Sequence, residues 1–70
     1  MKVNELSSVI WYLESVDLMI HYNKGTTSRV KELAFTDVED MYGDYNVLEV
    51  TTDIDDNTGD SYLIIIIEEV

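Results

Sequence analysis

Leu6, Val9, Ile10 and Leu13 recur at i, i+3, i+4 and i+7, the spacing of one apolar stripe along a helix, and Asn4 stands where an N-cap belongs. The pattern predicts a helix from about residue 5 to 15, with Trp11 and Tyr12 widening its apolar face. The period then falls to two. Over residues 17–22, Leu18, Ile20 and Tyr22 alternate with Met19 and His21, as in a strand. Asn23-Lys24-Gly25-Thr26 reads as a hairpin turn with Gly25 at positive φ, and a return strand is expected from residue 28 to about 33. Val38, Met41 and Tyr42 share one face of a second, short helix. Thr36 is its expected cap, Glu39 completes a capping box, and Gly43 sits just past its end. Residues 47–54 and 61–67 are two further strands around the turn-rich loop 55–60.

The order helix, strand, strand, helix, strand, strand, with short connections, predicts one α+β domain over residues 1–70. Its expected form is a two-layer one: a small antiparallel sheet of about four strands with two helices against one face. Tyr62 to Ile67 is the longest apolar run, suited to one buried strand, and Glu68 and Glu69 are expected to guard its end against edge pairing. A membrane span needs roughly 18 to 20 apolar residues, far more than this run, and the first residues lack a signal-peptide layout. A cytosolic protein without a membrane partner is the expectation.

Charge changes the picture more than composition does. The chain has 15 Asp and Glu against 4 Lys and Arg, a net charge of −11, and no cysteine. Absence of cysteine excludes disulfides, thiolate metal sites and thiol nucleophiles. All four bases (Lys2, Lys24, Arg29, Lys31) lie in residues 1–31, while residues 32–70 hold twelve acids and none. A surface built for solubility alone mixes both signs. Direct binding of nucleic acid is disfavoured, because phosphate contacts need Lys and Arg. Alternate strand positions repeat at about 6 to 7 Å, a separation comparable to that of phosphates, so carboxylates on strands can imitate a nucleic-acid backbone. A protein that grips DNA electrostatically is attracted to such a surface.

Catalytic parts are few. His21 is placed mid-strand, Ser7 and Ser8 have no evident base, and no Gly-rich phosphate loop is present. Asp53, Asp55 and Asn57 have the alternation of a calcium loop, but Thr58 replaces the Gly that its turn requires and no helices flank it. The expectation is a protein that is not an enzyme, with no metal and no cofactor.

At the second helix, Leu33-Ala34-Phe35-Thr36-Asp37-Val38-Glu39-Asp40-Met41-Tyr42-Gly43-Asp44 resembles the helix of uracil-DNA glycosylase inhibitors of Bacillus phages, both the Ugi type and the shorter type. Residues 16–32, with Asn23-Lys24-Gly25, are similar to the shorter type, and residues 47–65 are similar to the central Ugi hairpin. Leu6-Ser7-Ser8-Val9-Ile10 is similar to the N-terminal Ugi helix. The resemblance implies a phage DNA mimic acting in the host cytoplasm, which blocks the glycosylase's DNA-binding groove and captures the apolar side chain the enzyme wedges into the minor groove. Carried onto this chain, it implies a pocket lined by Val38, Met41, Tyr42, Val50, Leu63 and Ile65, flanked by Asp37 and Glu39. Glu32 becomes an edge-strand phosphate mimic. The same six apolar residues also read as ordinary core.

Three departures accompany the resemblance. Tyr22-Asn23 stands where the Ugi type has Glu-Ser, Val38 stands where the shorter type has Phe, and the last Ugi strands have no counterpart. The expected partner is a DNA-binding host enzyme, the uracil-DNA glycosylase, with the inhibitor a monomer or a homodimer paired through its Ile-rich final strand. Alternatives of other kinds are an inhibitor of another nucleic-acid-binding defence system, of anti-CRISPR type, a structural or assembly module, and a calcium-binding domain.

Overall fold

The computed structural model describes residues 1–6 and 15–70. The helix expected over 5–15 therefore falls largely outside the described residues. A 3-10 helix, Val3–Leu6, buries Val3 and Leu6. Four strands follow: β1 (Ser15–His21), β2 (Thr27–Ala34), β3 (Asn46–Ile54) and β4 (Ser61–Glu68), with α1 (Phe35–Tyr42) between β2 and β3. Among the described residues this is a small α+β fold with one α-helix.

The sheet order is β2-β1-β4-β3. Each hairpin is antiparallel, as expected, but the central pair, β1 with β4, is parallel, so the sheet is mixed. Short connections fix neighbours only within a hairpin. Between hairpins the choice falls to burial, and interior strands are the near-continuous apolar ones. Those are β1 and β4, and because the connection through α1 leaves β3 running the same way as β2, β4 runs the same way as β1. β4 is thus bonded along both edges, and its isoleucines offer no free edge for a two-fold pairing.

Val16, Leu18 and Ile20 of β1 and Ile65 and Ile67 of β4 form the sheet side of the core, with Val3, Leu6, Phe35 and Val38 packed against them. Full burial of such a side chain contributes about 1.5 to 3 kcal/mol. The N-terminus is tied down: the Val47 N–H donates to Met1 O and the Val3 N–H to Tyr45 O. Glu68 and Glu69 do not guard an edge. Glu68 pairs with His21 and Asn46, the Glu69 N–H donates to His21 O, and its carboxylate accepts the Asn23 N–H at 3.1 Å.

Of the helix-end expectations, the Thr36 cap is corrected and the Gly43 position holds. α1 starts at Phe35, so Thr36 lies inside its first turn, and the N-cap residue is Ala34, with no side-chain cap bond. β2 runs directly into the helix, leaving no loop residue to serve as a polar cap. Gly43 follows the helix as expected but keeps a right-handed φ of −53°. Its missing side chain is required by packing, because a Cβ there would collide with the Glu39 backbone carbonyl as well as with the Asn4 side chain.

Candidate functional site

The averted face of the sheet carries a polar chain that crosses all four strands. From β2, Arg29 Nη2 donates to Asp17 Oδ2 on β1 at 3.0 Å and to the Tyr62 hydroxyl on β4 at 3.3 Å. The Tyr62 hydroxyl in turn donates to Asp53 Oδ2 on β3 at 3.4 Å. Asp17 is buried, and its hydrogen bond is the main cause holding the Arg29 guanidinium above its ordinary range, with Tyr62 second.

Opposite Asp17 the β1–β2 register slips: Val16 faces Leu33, but Leu18 faces Val30. Two β2 residues, Lys31 and Glu32, therefore span one on β1, a β-bulge. Glu32 has φ +53°, and its N–H donates to Asp17 Oδ1 at 3.1 Å. Sequence patterning missed this, since nothing in Lys31-Glu32 signals a bulge. The one clue was an acid, Asp17, inside an apolar strand, where a buried carboxylate needs donors.

Beside the bulge lies an open groove of about 580 Å³, walled by Asp17, Arg29, Lys31 and Glu32 on one side and by the β3–β4 hairpin end on the other. That end contributes Asp53, Asp55, Asp56 and Asp60. Its loop is self-supporting. Asp55 Oδ1 accepts the Asn57 N–H at 2.8 Å, Thr58 Oγ1 accepts the Asp60 N–H at 3.2 Å, and Gly59 takes φ +77°. The Asp55 carboxylate thus braces the turn, and among the described residues no group of three or more acids or histidines is placed to hold a metal ion.

A smaller hollow of about 250 Å³ sits at the C-terminal end of α1, lined by Glu39, Asp40, Met41, Asp44, Tyr45 and Val70 among others. Burial pushes the nearby Tyr45 phenol up, reinforced by Glu69, Tyr22 and Tyr42. Tyr42 packs edge-on to Tyr45, ring centroids 5.2 Å apart.

The chain matches no protein-family model, no curated protein and no solved structure. The site rests on its own geometry.

The nine residues singled out by the sequence are dispersed. Glu32 is exposed at the bulge and lines the larger groove, while Glu39 and Met41 line the smaller hollow. Asp37 is exposed in the first turn of α1, where the helix dipole favours an acid. Val38 and Ile65 have no exposed surface and belong to the core, against which Tyr42 and Leu63 pack half-buried. Val50 is exposed on β3 although it pairs with Ile65. Neither hollow is lined by Val38, Val50, Leu63 or Ile65. The residues that combine in space are instead Asp17, Arg29, Glu32, Tyr62 and the hairpin aspartates.

Proposed function

We propose that the protein is a DNA-mimic inhibitor that occupies the DNA-binding groove of host uracil-DNA glycosylase. The observation that supports this is the partition of charge by hairpin. All three strand-borne or turn-borne bases (Lys24, Arg29, Lys31) sit on β1–β2, and the β3–β4 hairpin with its tail carries Glu49, Asp53, Asp55, Asp56, Asp60, Glu68 and Glu69 with no base. The sheet order puts the second hairpin wholly on one side. Glu49 and Asp53 lie on the same strand face, four residues apart, about 13 Å along an extended strand, or two phosphate-like steps. Such a surface attracts the cationic loops with which an enzyme grips DNA, and inhibition needs no bond to form or break.

The wedge-capture part of the mechanism draws support from one place, the small hollow where Met41 and Val70 stand exposed beside Glu39, Asp40 and Asp44. An apolar side chain carried on a cationic loop matches that lining.

The test is uracil excision from a uracil-containing oligonucleotide with the protein in molar excess. Loss of cleavage at low salt, relieved as salt rises, is the expected outcome. Unchanged cleavage at every salt concentration eliminates the glycosylase as target.

A further inference from the structure

Glu32 is the one described non-glycine residue in the left-handed region. Glycine takes that conformation at no steric cost, and Asn tolerates it, whereas a glutamate there costs stability. No core contact asks for the side chain, because Glu32 is exposed. An observed backbone outlier of this kind points to a function for what it displays. The conformation is held from below. The buried Asp17 carboxylate accepts the Glu32 N–H with one oxygen and the Arg29 guanidinium with the other. The bulge also turns the β2 chain at the rim of the larger groove, which Glu32 lines.

We infer that Asp17 is a positioning residue: it clamps the β2 bulge so that the Glu32 carboxylate is held at the rim of the groove, toward the cationic partner. The inference rests on the inhibitor reading above and adds to it the device that sets one of the contacts. A purely structural bulge, serving only to twist the β2 edge, would leave the Glu32 side chain irrelevant to association.

A double-mutant cycle on association rate with the glycosylase, run beside thermal unfolding, separates the two. Glu32→Gly is expected to raise the melting temperature by a few degrees, since glycine relieves the backbone cost, and to slow association several-fold. Glu32→Gln should slow association equally without moving the melting temperature. Asp17→Asn offers one oxygen where two donors converge, so it should lower the melting temperature and slow association. In a Glu32→Gln background, Asp17→Asn should leave association unchanged, because the contact it positions is already gone. Should Asp17→Asn fail to fold, Arg29→Gln, which loosens the clamp from its solvent side, takes its place in the cycle.

Wild-type association by Glu32→Gly, or equal slowing by Asp17→Asn in both backgrounds, overturns the inference. A wild-type protein that does not inhibit at all removes the parent reading and with it the contact role of Glu32. The clamp is then judged by hydrogen exchange of the Glu32 amide, which Asp17→Asn should accelerate. An unchanged exchange rate shows that Asp17 does not hold the bulge.

Discussion

The two hairpins are built alike and used differently. Each is an antiparallel pair with one apolar inner strand, and each has a register slip in its outer strand, at Lys31 and Glu32 in β2 and between Val47 and Glu49 in β3. Their inner strands meet in the middle of the sheet and hold the core. Their outer strands diverge. β2 carries Arg29 and Lys31 and turns one of those charges inward to a buried acid, whereas β3 faces water over most of its length with acids and exposed Leu48, Val50 and Ile54. Inner strands therefore set the fold and outer strands set the surface, so the two can be perturbed separately.

The sharpest way to break this division is to compare an inner with an outer position of the same pair. Ile65→Ala, at a fully buried site on β4, should cost about 2 to 5 kcal/mol by urea unfolding. Val50→Ala, its partner on β3, should cost under about 1 kcal/mol. Equal losses would mean that β3 is as integral to the core as β4. Next in size is the buried acid of the first hairpin. Asp17→Ala strands the Glu32 N–H and removes Arg29's ion-pair partner, a loss of about 1 to 3 kcal/mol. Asp60→Ala on the second hairpin should stay within about 0.5 kcal/mol.

The smallest effect is in pH. Burial holds the Tyr45 phenol above its ordinary value, so the folded chain keeps that proton after the unfolded chain has lost it. The contribution is fully present below about pH 10 and falls away as pH rises through the higher folded value. Tyr45→Phe should flatten the alkaline limb of a stability-versus-pH curve. A limb unchanged by the substitution would assign it to other groups.

Much of this division was legible in the sequence. Period-two alternation and turn chemistry located both hairpins within a residue or two, because Asn23-Lys24-Gly25 and the loop 55–60 specify local conformations. The charge partition needed no structure. What lay out of reach was set by contacts distant in sequence. The parallel β1–β4 pairing depends on which apolar strands need burial most, and the bulge depends on a hydrogen bond from Glu32 to Asp17, fifteen residues away. The apolar residues assigned to a pocket share the spacing of core residues, and spacing alone does not tell a cavity wall from a packed interior. Val38 and Ile65 proved to be interior, Met41 and Val50 surface.

The central claim, that the base-free hairpin stands in for DNA, is tested most directly by uracil excision measured with two variants whose net charge moves in opposite directions. Glu49→Gln/Asp56→Asn/Asp60→Asn removes three acids from the second hairpin, and Lys24→Gln/Lys31→Gln removes two bases from the first. The account expects the acid-depleted variant to inhibit far more weakly and with a flatter salt dependence, while the base-depleted variant inhibits at least as well as the parent. Inhibition that is indifferent to loss of the three acids, at low salt and with both variants folded, would contradict it.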